Sequence, residues 1–265
     1  KSGNYICCSK GDFIAKKDTK GKHGKPTKRE AVREKRRQEQ RRRRVLVVLG
    51  IVAAAAVIAA IVIVPSLLPA GDVVMITPVE RPMADGTAMG DPQAPVTIEV
   101  FEDFQCPACK TYSEQIAPQV KDAYVATGEV YYIFRQYPFL DDNAPRKESD
   151  QAANASMCAA DENRFWDYHD MLFANWNGEN QGSFNDKRLV AFAEALDLDM
   201  ATFRPCFDDN LHADEINNDL ELGRELGVTG TPSVFVNGRL LTPGRVPSFT
   251  DISEAVEAEL AQAGN

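Results

Sequence analysis

The sequence predicts an α/β fold with a central mixed β-sheet and an inserted helical subdomain, preceded by one transmembrane helix. Three observations carry this. Val45 to Val64 reads VLVVLGIVAAAAVIAAIVIV, twenty residues without a charge. At 1.5 Å per residue such a helix crosses the roughly 30 Å hydrocarbon core of a bilayer. A strand–helix–strand pattern opens the region beyond it. A block of about eighty helix-forming residues then separates that opening from a hairpin and a closing helix, far more than an ordinary connection needs.

The apolar run is longer than the about 7–15 residues of a signal-peptide core, and SLLPAGD after it is a poor cleavage site, so an uncleaved anchor is expected. A buried core helix would show a polar face somewhere in twenty residues. Pro65 is expected to end the span. The net charge of −9 hides a split on either side of it. Residues 1–44 hold 17 Lys and Arg against 5 Asp and Glu, a net of +12, leaving −21 from 13 basic and 34 acidic residues elsewhere. The basic run REAVREKRRQEQRRRR, residues 29–44, abuts the span. Positive-inside bias therefore puts residues 1–44 in the cytoplasm and the acidic domain outside, a single pass through the cell membrane. The same run favours contact with the anionic lipid of the bilayer. The acidic domain argues against nucleic acid as a partner. The chain does not begin with Met, and residues 1–13 receive no assignment.

Residues 65–94 contain five Pro and three Gly and read as an extracytoplasmic linker. The domain is expected over residues 95–265. PVTIEVFEDF, 95–104, is β-branched and aromatic and reads as a buried strand. The next helix carries Ile116, Val120 and Tyr124 at four-residue spacing, closes at Gly128, and holds Pro118, which should kink it. EVYYIFRQYPF, 129–139, is a second strand. Residues 144–226 show no convincing strand, and NDKRLVAFAEALDLD puts Leu189, Phe192, Ala193 and Leu196 on one face. SVFV and RLL are short strands joined by Asn237-Gly238, the residues of a type I′ turn. The last helix, near residues 248–262, has Ser248 or Thr250 as its cap.

CxxC in isolation fits a zinc half-site, a redox pair or an accident. Here it falls where the first strand hands over to the first helix. Unpaired N–H groups and the positive end of the helix dipole stabilise a thiolate there, so Cys106 is the expected nucleophile. Cys109, about one turn further in, is the expected resolving thiol. Pro107 suits the first turn, where its missing N–H costs nothing.

With FEDFQCPACK, the helical insertion and the dipeptide Thr231-Pro232 ahead of a strand, residues 90–262 resemble the DsbA-like branch of the thioredoxin superfamily. CxxC after a strand, with Gly230-Thr231-Pro232 downstream and a hairpin behind it, is a specific combination. The resemblance implies a thioredoxin-like fold and a redox-active disulfide in place of a cofactor. It implies a cis bond at Thr231-Pro232 facing the cysteines, and X-Pro is where cis bonds cost least. Thr231 and Pro232, with Pro107 and Ala108, would then border an extended substrate segment. The expected partners are exported cysteine-containing proteins and a membrane redox partner of the DsbB or vitamin K epoxide reductase type. The best-known pattern of the family is CPHC. Ala108 replaces the His that helps to stabilise the thiolate, which implies a weaker oxidant.

Glu102 and Asp103 flank the site, and Glu102 is the better candidate to exchange a proton with Cys109. Cys158 and Cys206 have three readings: a structural disulfide, a second redox relay, or half of a four-cysteine zinc site. The oxidising compartment favours the disulfide, which would add about 3–4 kcal/mol in the loop-entropy model. Some DsbA-like proteins carry a similar bridge. No resident metal is expected. Cys7 and Cys8, with His23, lack ligand spacing. His169 and His212 read as packing or surface residues. Asn154-Ala155-Ser156 matches a glycosylation pattern that means little outside a eukaryotic secretory route. HExxH, G-x-S-x-G and P-loop patterns are absent, which leaves hydrolase and nucleotide chemistry without a foothold.

The expected function is a membrane-anchored extracytoplasmic thiol–disulfide oxidoreductase that forms or rearranges disulfides in exported proteins. The alternatives are a reductase or isomerase of the same fold, a redox-inactive binding subunit of a membrane complex, and a metal-binding protein using the CPAC thiolates.

Overall fold

The structure is a computed structural model that describes residues 28–67, 71–141 and 147–263. Cys7, Cys8 and His23 lie outside the described residues. The chain divides into two compact units, Lys1–Leu68 and Pro69–Asn265.

In the first unit, α1 is one helix, Lys28–Leu67. The basic run and the apolar run share it, since Arg, Lys, Glu, Gln and Ala all favour helix. Val32–Ile61 within it is long and apolar enough to cross a membrane. The helix does not stop before Pro65 as the sequence suggested. It runs on to Leu67, so the proline falls in its last turn, where few later hydrogen bonds depend on it.

The second unit is built on a five-stranded sheet in the order β1-β3-β2-β4-β5. The strands are β1 Ala88–Met89, β2 Val96–Glu102, β3 Val130–Gln136, β4 Ser233–Val236 and β5 Arg239–Leu240. Strands β2 and β3 are parallel, and every other pair is antiparallel. β2 lies between β3 and β4, and Val96, Ile98, Val100 and Phe101 are wholly buried. That is why its sequence is a nearly unbroken β-branched and aromatic run. Asn237 and Gly238 both take positive φ, 45° and 74°, as the β4–β5 turn requires.

The first helix of the domain is broken. α2 spans Pro107–Gln115, α3 is the single turn Ala117–Val120, and a π-turn follows over Lys121–Val125. Pro118 lacks an N–H and crowds the carbonyl four residues back, so the expected kink falls at Ile116. The inserted block is five helices: α4 Glu148–Ala160, α5 Phe165–Ala174, α6 Asp186–Ala195, α7 Met200–Asp208 and α8 Ala213–Glu225. Leu189, Phe192, Ala193 and Leu196 all point into the core. Cys158 of α4 is bonded to Cys206 of α7, with Cα atoms 5.8 Å apart. The last helix, α9, spans Phe249–Ala263 and takes Ser248 as its cap, whose Oγ accepts from Asp251 N at 3.2 Å.

The segment read as a linker to residue 94 belongs to the domain over its described part. Ala88 and Met89 pair with Ile133 and Tyr132 of β3 and are buried. Val74 N–H donates to Asn175 Oδ1 at 2.8 Å, and Asn175 Nδ2 returns a bond to Val74 O at 2.9 Å. Arg81 Nη2 pairs with Asp170 at 2.9 Å. A Pro- and Gly-rich composition carries no periodicity, yet here its backbone partners lie on the sheet and at the C-cap of α5. Gly90, at φ +92°, is required, because a Cβ there would sit 2.4 Å from Val130 O.

Candidate active site

β2 ends at Glu102 and α2 begins at Pro107, so four residues must turn the chain. Asp103 shapes that turn. Its Oδ1 accepts from Gln105 N at 2.8 Å and Ser149 Oγ at 2.7 Å, and its Oδ2 accepts from Leu140 N at 3.0 Å. Burial pushes its carboxyl up to about 7 against these bonds. All three donors are structural, so Asp103 sets the turn. Gln105, singled out by no motif, braces the turn from behind. Its Nε2 donates to Asp141 Oδ1 at 3.1 Å and Ser149 Oγ at 2.9 Å. Its backbone O accepts from Trp176 Nε1 at 2.8 Å.

This turn sets Cys106 as the N-cap of α2, in extended conformation, with Pro107 as the first helical residue. The register places Phe101 of β2 opposite Ser233 of β4. The residue before Ser233 is therefore carried alongside the start of α2. Thr231-Pro232 is cis, and the Cys106 thiol donates to Thr231 O at 3.3 Å. Thr231 Oγ1 is buried without a partner among the described residues.

The two thiols are driven apart in acidity. The Cys109 thiol, donating to the Cys106 sulfur, lowers Cys106 to about 6. Burial opposes this, and the N–H groups of Cys109 and Ala108 assist it. Cys109 is wholly buried. Burial, with the negative charges of Glu102 and Cys106 beside it, pushes its thiol well above the ordinary range. Cys106 is thus thiolate at neutral pH and Cys109 is thiol.

Glu102 lies beneath them, 1% exposed. Burial, and then the Cys106 charge, push its carboxyl well above the ordinary range, against a hydrogen bond with Cys109. Its Oε2 has no partner among the described residues. A pocket of about 260 Å³ reaches this carboxyl, bordered by Arg81, Glu102, Tyr132, Trp166 and Asp170. A second pocket, about 360 Å³, is lined by Ala108, Thr231, Pro232, Leu241, Pro243 and Val246.

The structure therefore brings Cys106, Cys109, Glu102, Thr231, Pro232, Pro107 and Ala108 together. Among the described residues, no cluster unites these cysteines with Cys158 and Cys206, which are joined to each other. His169 is buried between Phe104, Phe134, Phe165, Trp166 and Phe173. His212 bridges Asp161 and Glu215. Asn154 is buried and donates to Phe207 O at 3.0 Å, so it offers no glycosylation site in the fold.

The family model described as Thioredoxin matches residues 83–258. The chain belongs to the thioredoxin family. The probable disulfide bond formation protein D of Bacillus cereus is 28% identical over 177 residues, covering 65% of this chain and 78% of that protein. The Na(+)/H(+) antiporter NhaA 3 of Salinispora tropica is 35% identical over 150 residues, covering 57% of this chain and 21% of that protein. Among solved structures, oxidised BdbD of Bacillus subtilis is similar with a TM-score of 0.60 at 25% identity, covering 72% of this chain and 100% of that one. With these relatives, the chain is a DsbA-like thiol–disulfide oxidoreductase.

Proposed function

We propose that Cys106 and Cys109 are the redox pair with which this protein forms disulfides in exported proteins. The observation that carries the reading is the split acidity of the pair at the start of α2. A substrate thiolate attacks Sγ of Cys106 in the oxidised pair, and the electron pair of the broken bond leaves on Cys109. Cys109 takes a proton, for which the Glu102 carboxyl is the adjacent donor. A second substrate thiolate then attacks the substrate sulfur of the mixed disulfide. The substrate disulfide closes, and Cys106 leaves as thiolate. Two electrons have passed from the substrate dithiol to the pair.

Cys106 is a good leaving group because its thiolate is stabilised. At pH 7 a thiol near 6 is about ten times more stabilised in its reduced form than an ordinary one, worth about 30 mV toward oxidising power. This is less than the strongest oxidants of the family gain from a thiol near 3.5, in keeping with Ala108 at the position of their His. The pocket beside Thr231 and Pro232 has a mixed lining, Leu241, Pro243 and Val246 with Thr229, Ser233 and Arg245, which suits an extended substrate segment paired through its backbone to Thr231 once Cys106 is oxidised.

The apolar run of α1 supports a membrane anchor, and the flanking basic run supports a cytoplasmic N-terminus. The redox domain then faces the exterior, beside the bilayer, where a membrane partner of the DsbB or vitamin K epoxide reductase type reoxidises Cys109 and Cys106. Anchoring raises the effective concentration of the domain at that partner.

The test is catalysed oxidative refolding of a reduced, unfolded secreted protein by the oxidised chain in detergent. The chain is expected to yield active substrate with stoichiometric loss of its own disulfide, and Cys106→Ser to abolish this. If the wild-type chain only reduces disulfides under these conditions, the proposed direction is wrong.

A further inference from the structure

Three helices of the inserted subdomain bring four metal-ligating groups to one point. Cys158 lies near the end of α4, and Asp161 is the C-cap of that helix. Cys206 lies in α7, and His212 is the N-cap of α8. The donor atoms of Cys158, Cys206 and His212 all lie within 4.8 Å of one another. Asp161 Oδ2 is 3.6 Å from Cys206 Sγ and 3.0 Å from His212 Nε2. On the other side of the ring, His212 Nδ1 is 3.1 Å from Glu215 Oε2. A carboxylate holding Nδ1–H is how metal-bound histidines are oriented, and Nε2, which now donates to Asp161 Oδ2, becomes the lone-pair donor on giving up its proton to an incoming ion. The ligands come in two local pairs, Cys-x2-Asp across the last turn of α4 and Cys-x5-His across the turn between α7 and α8.

Two thiolates, an imidazole and a carboxylate are the donor set that zinc selects for tetrahedral sites. As the protein stands the two sulfurs are bonded to each other, and a metal requires them as thiolates. We propose that reduction of the Cys158–Cys206 bond turns this point into a zinc site, held by Cys158, Cys206, His212 and Asp161. A dithiol supplies the two electrons and itself closes to a disulfide, leaving two thiols on the protein. The ion then displaces both thiol protons and the Nε2 proton of His212 into solvent. To take a tetrahedral ion at about 2.3 Å, the sulfurs must open to about 3.8 Å. Both are buried, while the Asp161 and His212 side chains are 43% and 17% exposed, so the ion reaches the site from their side. Its consequence is that α4 and α7 stay tied in either redox state, by a covalent bond or by a metal. The dithiols this enzyme meets at Cys106 are of the chemical class that would open the bond.

The test uses the full chain in detergent with Cys7, Cys8, Cys106 and Cys109 replaced by Ser, so that one cysteine pair remains. The bond is opened with a phosphine reductant, and cobalt(II) and then zinc are titrated. The proposal expects one ion per reduced chain, thiolate-to-cobalt charge-transfer absorption, protection of both thiols from alkylation, and no binding to the disulfide form. His212→Ala should weaken binding by about a hundredfold and Asp161→Ala by about tenfold. If the metal-free reduced chain loses structure, zinc should restore its circular dichroism. Absence of binding to the reduced chain, failure of zinc to restore a lost fold, equal binding to the disulfide form, or undiminished binding by His212→Ala would each overturn it.

Discussion

At the scale of residues, the site works by proximity of charges. Glu102, Cys109 and Cys106 form a buried series in which each negative charge makes the next more costly. Glu102→Gln removes the proposed proton carrier beside Cys109. Reoxidation of the reduced pair by glutathione disulfide, which needs Cys109 deprotonated, is expected to slow at least about tenfold. Alkylation of Cys106 at pH 7 should stay fast, and an unchanged reoxidation rate in stopped flow would remove Glu102 from the mechanism. Ala108→His restores the family's dipeptide. It should raise the reduction potential by about 30 mV for each unit it lowers the Cys106 thiol below about 6. The depressed Cys106 thiol also links redox state to stability. Folded Cys106 loses its proton near 6 and the unfolded thiol near 9, so between these the unfolded reduced chain binds more protons. Stability of the reduced form relative to the oxidised form should therefore rise with pH from about 6 to 9 and be lost below about 6. Asp103 titrates in both forms and cancels in that difference, whereas Glu102, raised in part by the Cys106 charge, partly opposes the rise. Paired melting curves from pH 5 to 9 check the sign.

At the scale of elements, close approaches decide what the sequence reveals. The CPAC pair, the Pro118 break and the Asn237-Gly238 turn were legible because each is a local rule about a few adjacent residues. β1 was not, because a two-residue strand has no period and its pairing with β3 is set by tertiary contact. Gln105, Asp141 and Ser149 were missed for the same reason: their bonds join residues 36 and 44 positions apart. The pairing of Asp161 with His212, 51 positions away, is equally silent in one dimension. Gly223 of α8 shows the tightness of the helix-to-sheet contact. A Cβ there would lie 2.6 Å from the Tyr137 ring and 3.1 Å from Phe101. Tyr137 is held in place by its bond to Val228 O. Gly223→Ala should cost about 1–3 kcal/mol through overpacking, despite the better helix propensity of alanine. A denaturation midpoint at or above wild type would show that the ring can yield.

At the scale of the whole chain, two units with opposite charge follow from the sequence split of +12 and −21. The proposed anchor and the redox domain should be separable in function. Removing residues 28–67 is expected to release the protein from the membrane fraction while leaving thiol exchange in solution intact. Replacing Cys158 and Cys206 by Ala should cost about 4 kcal/mol, the loop-entropy value for a 48-residue separation. It should leave the potential of the CPAC pair nearly unchanged, since no cluster joins the two pairs among the described residues.

The most direct test of the central claim is the reduction potential of Cys106–Cys109. It is measured by equilibrating the chain with glutathione and mapping the labelled thiols by mass spectrometry. A value near roughly −180 to −200 mV is expected, short of the roughly −120 mV of the strongest oxidants and well above a reductase. A value near roughly −270 mV would make the pair a reductase, and a pair that never exchanges would contradict the redox assignment itself.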